Sequence, residues 1–480
     1  MAEIEHVVVL VLENRSFDHM LGFVEHPDPA FDGLHGGTFT NPGVEQGQTV
    51  TATANGRRVL PIDPDHSHEA MLEQLKGNAG FVRSYERKGL GKAPGAWGGL
   101  LGPIVNLMTR GRGRKGVAGY GPLVMRCQPP GNVPVLATLA REFGTCSRWF
   151  CSVPGETWPN RNFLHAATSD GDVDIQPRFY TNRTIFEVLE AAGKGWHVYF
   201  GDIPQVMVFV KLWSSPERLG NWYPMEAFAR HVADGTLPAY SFIEPVHRPG
   251  PSSDSQHPGN DLAADHEDAD DGEGDFVRAE ALVARVYETL RGHPEVFERT
   301  ILLVTYDENG GFYDHVPAAA GMANPGEGRS PAVRVLRWLI HRKSAAFGFA
   351  TTGGRVPAVV ISPYVPAGAV EAGTREHASV PATLRGLFAP GARPLTPRDA
   401  AAGRFDTLLT LDEPRRDLPD LSAWTSPPAP REAAPAGDLA SAHYEPYVRL
   451  ADQVAGMLGM DGTSTDRVRE AFLDAAERAR

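Results

Sequence analysis

The stretch "HVVVLVLENRSFDH", residues 6–19, begins with an uninterrupted apolar run and ends in polar side chains. A short run that is rich in β-branched residues and lacks polar alternation is typical of a strand buried on both faces. Glu13 and Asn14 follow at the point where this strand should end. The stretch therefore predicts a central strand that holds two oxygen-bearing side chains at the carboxyl edge of a sheet.

Further runs have the same character, and helical patterns lie between them. The predicted strands are residues 6–12, 196–200, 239–246, 300–306 and 358–365. Amphipathic patterns predict helices at 133–143, 184–193 and 276–292. Strands that alternate with helices form mostly parallel sheets, with helices covering both faces. The sequence therefore predicts an α/β fold.

The composition changes near the end of the chain. Around 388–435 it shifts to Pro, Ala, Arg and Asp, and two helical patterns follow at about 440–459 and 465–480. We expect a main domain over residues 1–390. Residues 391–480 are expected to form a linker and a small C-terminal helical appendage that packs on the core.

The charge balance limits the classes of partner. A formal net charge of -13 argues against nucleic acid, because phosphate backbones select basic faces. The one dense basic patch, "RGRGRK" at 110–115, is interpreted as a solvated loop, with contact to anionic lipid as the alternative. No run of about 18 apolar residues exists, so we expect at most peripheral contact with a membrane.

The cysteines and the first residues bear on the compartment. Cys127, Cys146 and Cys151 are too few and odd in number for a disulfide framework, so reduced buried thiols are expected. The first four residues lead directly into the first predicted strand and leave no room for a signal peptide. We expect a cytoplasmic protein, or a secreted or periplasmic one if the sequence is trimmed.

An acidic insertion occupies residues 261–275, "DLAADHEDADDGEGD", in which eight of fifteen residues are acidic. A calcium loop is the alternative to a solvated surface insertion. The spacing of the oxygen-bearing side chains does not match a recognised cation-binding turn. We therefore interpret the insertion as a solvated segment.

Two predicted strands end in adjacent oxygen ligands. Glu13 and Asn14 follow the first, and Asp307 and Glu308 follow "TILLVTY" at 300–306. Sites in α/β sheets form at the carboxyl ends of strands. Either pair alone is explained by an ordinary strand-end turn, but three carboxylates and an amide at one edge repel unless a cation or protons lie between them. The two pairs together predict a divalent metal site.

Thr157 lies in "CSVPGETWPNRNFLHAATSDG", residues 151–171. Thr157 followed by Trp158 and Pro159 predicts a helix start with Thr157 as the N-cap, which is a sufficient structural role in itself. The N-terminus of a helix also suits a phosphate. A hydroxyl at that place, beside a metal that lowers its pKa, could attack phosphorus.

Three histidines lie in loops rich in Pro, Gly and Asp. They are His66 in "PDPDHSHEA", His257 in "SDSQHPGND" and His315 in "ENGGFYDHV". A lone histidine in a loop usually has no function, but three in loops of this kind, one of them only seven residues after the Asp307/Glu308 pair, favour one. Imidazole can donate a proton to a leaving alkoxide near neutral pH.

These stretches together resemble one family. "ENRSFDH", "VPGETWPNR", "SQHP" and "YDENGGFYDHV" occur in the order found in the phosphoesterase family that contains bacterial and plant non-specific phospholipases C and acid phosphatase A type enzymes. "DPDHSHEA" and "REHASVPATL" are weaker matches, and the resemblance spans roughly residues 5–388. It implies the three-layer α/β/α sandwich of the alkaline phosphatase superfamily, which agrees with the strand pattern.

The resemblance also implies roles for the residues that match its motifs. Glu13, Asn14, Asp307 and Glu308 would bind one divalent metal ion together with Thr157. Thr157 would be the nucleophile and would form a covalent phospho-threonine that water later hydrolyses.

The remaining matched residues would contact the substrate. His66, His257 and His315 would bind the phosphoryl oxygens or protonate the leaving group. Asn160 and Arg161 follow the nucleophile and would bind substrate, with Arg161 alternatively holding its helix in place.

We therefore expect a metal-dependent phosphoric ester hydrolase that cleaves phospholipids, in the manner of phospholipase C, to diacylglycerol and a phosphorylated head group. One alternative is a phosphatase acting on small monoesters. Another is a homologue that binds a lipid or a partner without catalysis, with the acidic insertion covering the site. That insertion departs from the family pattern, as does the missing secretory leader.

Overall fold

A computed structural model describes residues 3–91, 118–262, 274–326, 347–427, 443–460 and 464–480. Two features that the sequence singles out fall largely beyond these ranges. The basic patch at 110–115 and residues 263–273 of the acidic insertion lie outside the described residues.

One large sheet organises the molecule. The strands are β1 His6–Leu12, β2 Thr40–Pro42, β3 Thr49–Thr51, β4 Gly144–Cys146, β5 Trp149–Phe150, β6 Trp196–Phe200, β7 Trp222–Pro224, β8 Tyr240–Glu244, β9 Thr300–Tyr306, β10 Ala358–Ile361, β11 Val370–Glu371 and β12 Arg375–Glu376. Eight of them form a sheet in the order β11-β4-β10-β9-β1-β8-β6-β7. Its central pairs are parallel, whereas β10 runs antiparallel to both β9 and β4. The prediction of a mostly parallel sheet is confirmed.

The first quoted stretch forms the middle of this sheet. In register, β1 pairs with β9 from His6 opposite Thr300 to Leu12 opposite Tyr306, and with β8 on its other side. From Val7 onward, every residue of β1 is buried, and so is every residue of β9. Burial on both faces explains why these strands lack polar alternation.

The strands at 239–246 and 358–365 end earlier than the sequence predicts, at Glu244 and Ile361. Pro245 follows the first directly, and Pro363 stands two residues beyond the second. Proline has no N–H to donate to a ladder, so it marks the end of pairing.

Helices cover the sheet. They are α1 Phe17–Leu21, α2 His68–Leu75, α3 Phe81–Gly89, α4 Pro134–Glu142, α5 Thr157–Ala166, α6 Ile185–Ala191, α7 Pro216–Leu219, α8 Ala227–Ala233, α9 Asp275–Arg291, α10 Pro294–Phe297, α11 Ser379–Phe388, α12 Pro397–Ala401, α13 Glu445–Met457 and α14 Thr465–Ala479. Helices α4 and α9 pack on each other, and α5, α6 and α11 form a second group. Because the central strands are buried on both faces, this is the mixed α/β sandwich that the sequence predicts.

The C-terminal helices pack on the β6 and β7 side of the sheet. Phe472 of α14 lies edge-on to Phe200, Trp213 and Trp222, with ring centroids 5.4 to 6.4 Å apart. Arg480 also donates to the carbonyl of Trp222 at 2.9 Å. The appendage is thus attached through aromatic packing, while the domain boundary near residue 390 stays a prediction.

The structure also bears on the cysteines and on membrane spans. All three cysteines are buried and unpaired, as expected. Among the described residues, no helix is long and apolar enough to cross a bilayer.

Candidate active site

Two strand ends meet at the carboxyl edge of the sheet. Asn14 leaves β1 with φ of 57°, a left-handed conformation that asparagine tolerates, and its N–H donates to Asp307 Oδ1 at 3.1 Å. Gly310, in the turn after β9, also has a positive φ of 62°. A Cβ there would come within 2.0 Å of the Asn14 carbonyl oxygen. The sequence predicts that the Glu13/Asn14 pair and the Asp307/Glu308 pair converge. The close approach of the turns after β1 and β9 agrees with this prediction.

Thr157 begins helix α5 directly above this edge. Its Oγ1 lies 3.3 Å from Asn14 Oδ1, in hydrogen-bond contact. The expectation that Thr157 is the N-cap is wrong, because Glu156 holds that position in extended conformation and Thr157 is the first helical residue. The Thr157 hydroxyl therefore does not cap the helix and contacts Asn14 Oδ1 instead.

Asn160, for which the resemblance implies substrate binding, directs its side chain to the backbone instead. Its Oδ1 accepts the N–H of Val153 at 3.0 Å, and its Nδ2 donates to the carbonyls of Val153, Gly155 and Glu156. The side chain is fully buried. It fixes the turn that delivers Thr157 and is a positioning residue.

Arg161 is likewise turned away from solvent and joins carboxylates under the site. Nε donates to Asp307 Oδ2 at 3.0 Å, and Nη1 donates to Glu244 Oε2 at 3.2 Å. Nη2 donates to the Val11 carbonyl and lies 3.9 Å from Glu13 Oε1. Its exposed fraction is 0%. The alternative that Arg161 holds its helix in place agrees with these contacts, and substrate binding does not.

Two of the three predicted histidines lie near Thr157. His257 Nε2 is 2.9 Å from Asn14 Nδ2, and the His257 ring stands edge-on to that of His66 at 5.9 Å. His66 Nδ1 lies 3.9 Å from both Asp63 Oδ2 and Glu308 Oε1. Both histidines line a cavity that also contains Thr157.

His315 is placed differently. Its Nδ1 contacts Asp18 Oδ2 at 2.7 Å and its Nε2 contacts Asp32 Oδ1 at 3.0 Å, so both ring nitrogens face carboxylates. Buried Arg355 bonds to Asp18 at 2.9 Å and to Asp314 at 2.8 Å in the same cluster. The structure therefore does not bring His315 to Thr157, although the motif spacing predicts it.

The cavity above Thr157 has a volume of about 360 Å³. Its wall combines the catalytic candidates with acidic, basic and apolar side chains. The lining residues are Glu13, Asp63, Asp65, His66, Ser67, Lys88, Glu156, Thr157, Ile175, Pro177, His257, His443, Glu445, Pro446, Tyr447 and Arg449. A volume of this size lies within the range of small-molecule sites.

Sequence reasoning missed a buried ionic network behind Glu13. His247 lies with Nδ1 3.0 Å from Glu13 Oε2 and Nε2 3.0 Å from Glu244 Oε2. Burial opposes the charged ring, but the two carboxylates raise the pKa of His247 to about 10. Glu244 is the last residue of β8, and Glu13 directly follows β1. The rule that polar residues at the carboxyl ends of strands form sites could therefore have found Glu244.

The C-terminal segment contributes to the same site, which no motif indicated. Tyr447 of α13 donates its hydroxyl proton to Glu13 Oε1 at 3.3 Å and stacks on His247 with centroids 4.7 Å apart. It also contacts Trp158, next to the nucleophile, at 5.6 Å. His443 lies face to face with His257. The appendage thus completes one wall of the cavity.

The predicted metal ligands include buried carboxylates with raised pKa values and one oxygen without a hydrogen-bond partner among the described residues. Burial raises the pKa of Asp307 to about 6 against the opposing charge of Arg161, and burial together with Asp307 raises that of Glu308 further above its ordinary value. Glu308 Oε1 is shielded from solvent and has no hydrogen-bond partner among the described residues. A cation at Glu308 would satisfy this oxygen and offset its charge, whereas Asp307 and Glu13 already pair with Arg161 and His247.

Within the described ranges, the groups of three Asp, Glu, His or Cys side chains whose ligand atoms cluster do not bring Glu13, Asp307 and Glu308 together. Asp63, His66 and His257 bring ligand atoms within 4.8 Å of one another beside the cavity. Asp18, Asp314 and His315 do so as well, but there the guanidinium of Arg355 already neutralises the carboxylates.

Comparison with known proteins identifies the class to which this chain belongs. It is a hydrolase of phosphoric esters. The model of the Phosphoesterase family matches residues 4–389, and the chain belongs to this family.

Two curated relatives come from Arabidopsis thaliana. Non-specific phospholipase C6 is 32% identical over 476 residues, which are 95% of this chain and 81% of that protein. Non-specific phospholipase C3 is 34% identical and covers 87% of this chain and 75% of its own. A solved protein of the alkaline phosphatase superfamily from Vibrio parahaemolyticus aligns with 57% of this chain and 65% of its own. That alignment has 12% identity and a TM-score of 0.31.

Proposed function

We propose that this protein is a metal-dependent phospholipase C-like phosphodiesterase in which Thr157 is the nucleophile. The observation that carries the proposal is the contact between Thr157 Oγ1 and Asn14 Oδ1 at 3.3 Å, at the floor of a cavity lined by His66 and His257. The names of the similar plant proteins support the substrate class, a phospholipid.

The N-terminus of α5 holds the phosphoryl group in this proposal. Thr157 is the first residue of a ten-residue helix, so free backbone N–H groups and the positive end of the helix dipole surround its hydroxyl. These groups stabilise the oxygens of a phosphate ester. The same geometry presents the Thr157 oxygen to phosphorus.

Glu13, Asn14, Asp307 and Glu308 would hold one divalent metal ion beside Thr157. When bound, the ion would lower the pKa of the hydroxyl and offset the charge that develops on the phosphoryl oxygens. Arg161 and Tyr447 keep the carboxylates of Asp307 and Glu13 in place. The identity of the ion is left to elemental analysis.

The two steps follow from these positions. Thr157 Oγ loses its proton to solvent and forms a bond to phosphorus as the bond to the diacylglycerol oxygen breaks, and His66 gives the departing oxygen a proton. Water then attacks phosphorus and returns a proton to His66, while the bond to Thr157 Oγ breaks. The threonine oxygen takes a proton from solvent, and the phosphorylated head group leaves. His66 suits this role because its Nδ1 has no hydrogen-bond partner among the described residues.

A comparison of paired substrates tests the proposal. Hydrolysis of p-nitrophenyl phosphorylcholine is expected to exceed that of p-nitrophenyl phosphate, and diacylglycerol should be released from phosphatidylcholine vesicles. A chelator should abolish both activities, and metal analysis should show about one ion per chain. Activity on the monoester alone would contradict the diesterase and favour a phosphatase. Activity on neither ester would favour a protein that only binds.

A further inference from the structure

His443 comes from the segment beyond residue 389, where the match to the family model ends. It nevertheless lines the cavity of Thr157, His66 and His257. Its ring lies parallel to that of His257, with centroids 3.9 Å apart and an angle of 9° between the planes. The C-terminal segment therefore adds a histidine to a site whose proposed catalytic residues, Thr157, His66 and His257, lie in the part of the chain that matches the family model.

The turn after His257 is shaped to accept this second ring. A Cβ on Gly259 would lie 2.9 Å from His443 Nδ1 and 3.0 Å from His257 Nδ1. The Gly259 N–H donates to His257 Nδ1 at 2.9 Å, which holds that ring over the glycine. Any larger side chain at 259 would force one of the two rings away.

One nitrogen of His443 needs a partner. Its Nε2 is shielded from solvent and has no hydrogen-bond partner among the described residues, which is unfavourable for a buried polar group. Burial lowers the pKa of His443, while the charges of Asp63 and Glu13 oppose that effect. The neutral ring offers one donor and one acceptor, and it can stack on His257 without charge repulsion.

A short series of contacts joins this ring to the nucleophile. His443 stacks on His257, His257 Nε2 lies 2.9 Å from Asn14 Nδ2, and Asn14 Oδ1 lies 3.3 Å from Thr157 Oγ1. We propose that His443 contacts the substrate and donates a hydrogen bond to a phosphoryl oxygen of the bound ester. This inference rests on the proposed function, because it requires a phosphoryl group at Thr157.

Calorimetric binding of inorganic phosphate to the full-length holoprotein tests this role. His443→Phe keeps an aromatic ring that can stack but removes the N–H, whereas His443→Gln keeps an N–H and removes the ring. The Phe variant should bind phosphate about tenfold or more weakly, as expected for the loss of a hydrogen bond to a charged group. The Gln variant should recover part of the affinity. His26→Phe, altering a histidine that stacks on Phe31 outside this cavity, should have no effect.

The outcomes distinguish contact between His443 and the substrate from a structural role of His443. They also distinguish failure of this inference from failure of the proposed function. Wild-type affinity in His443→Phe would overturn the inference, as would absence of phosphate binding in the wild type. Equal weakening in both variants with a matching fall in melting temperature would mean a structural role and would also overturn it. Phosphate binding that depends on His443 in an enzyme that hydrolyses no diester would support the contact and contradict the phospholipase activity.

Discussion

Arg161 lies one turn after Thr157, the proposed nucleophile, and bonds to buried groups beneath the site. Its guanidinium bonds to Asp307 and Glu244 and to the Val11 carbonyl, and it is completely buried. It supplies a fixed positive charge among carboxylates that would otherwise repel. Arginine suits this place because its planar fork reaches several acceptors at once.

Replacing Arg161 by Met is expected to destabilise the protein by about 3–5 kcal/mol, because buried carboxylates lose their partner. Activity should fall with it, since Asp307 is no longer held. Chemical denaturation and esterase assays measure the two effects. Arg299→Met, which removes an exposed pair with Glu5, serves as the control and should change stability by less than about 1 kcal/mol. Equal effects of the two substitutions would contradict this role.

Gly310 sets the geometry of the two strand ends. Ala at this position should reduce activity strongly and destabilise the fold, because its Cβ would meet the Asn14 oxygen at 2.0 Å. Gly321 has a similar positive φ of 75° with open space around it, so Gly321→Ala measures the backbone strain alone, about 1–2 kcal/mol. Melting temperatures and kcat/KM of both variants check the prediction. A Gly310→Ala variant no worse than the control would refute the close approach.

At the scale of elements, the sequence predicts those parts of the site that lie at the end of a strand or at the start of a helix. The runs that become β1 and β9 end in Glu13, Asn14, Asp307 and Glu308, and the rule for carboxyl ends of strands is sufficient to bring them together. The helix start at Thr157 is also visible, although its N-cap is one residue earlier.

The parts that could not be predicted depend on contacts between distant elements. Helix α13 carries Tyr447 to Glu13 across 434 positions of sequence, and no periodicity or motif encodes that pairing. His315 illustrates the opposite error. It follows Asp307 closely in sequence, but Asp18 and Asp32 bind both of its ring nitrogens. Nearness in the chain does not determine which way a ring turns.

The contribution of α13 to the site can be measured by removing the hydroxyl group of Tyr447. Tyr447→Phe keeps the ring that stacks on His247 and removes the hydrogen bond to Glu13. Groups that hold a metal ligand commonly affect metal affinity or activity by about 10–100-fold, so a fall within that range is expected. Metal titration and kcat/KM provide the readout. Tyr444→Phe on the same segment should leave both nearly unchanged, and equal losses in the two variants would contradict a specific role.

At the scale of the whole molecule, a buried carboxylate couples two helices. Glu280 of α9 accepts the N–H groups of Val135 and Leu136 at the start of α4, at 2.8 and 3.3 Å. Burial raises the pKa of Glu280 to about 7, although these hydrogen bonds oppose the change. This contact links the core helices through a group that prefers to be protonated.

The contribution of Glu280 to the stability of the protein should therefore decline as pH rises from about 4.5 to about 7. Over that interval the unfolded chain releases the Glu280 proton while the folded chain retains it, which favours unfolding by up to about 3 kcal/mol. Glu280→Gln cannot ionise, so it should gain stability relative to the wild type across the same interval. Melting temperatures between pH 4 and 8 check this, with exposed Glu470→Gln as the control. A constant difference between wild type and Glu280→Gln would refute the coupling.

The account as a whole depends on a covalent bond between phosphorus and Thr157. The most direct measurement is mass-spectrometric peptide mapping of the enzyme after rapid acid quenching during turnover of a phosphodiester. We predict that the head-group phosphate is found on Thr157 and that Thr157→Ala loses activity while it keeps its fold and most of its metal. An unmodified Thr157 together with near-normal turnover in Thr157→Ala would contradict the proposed mechanism.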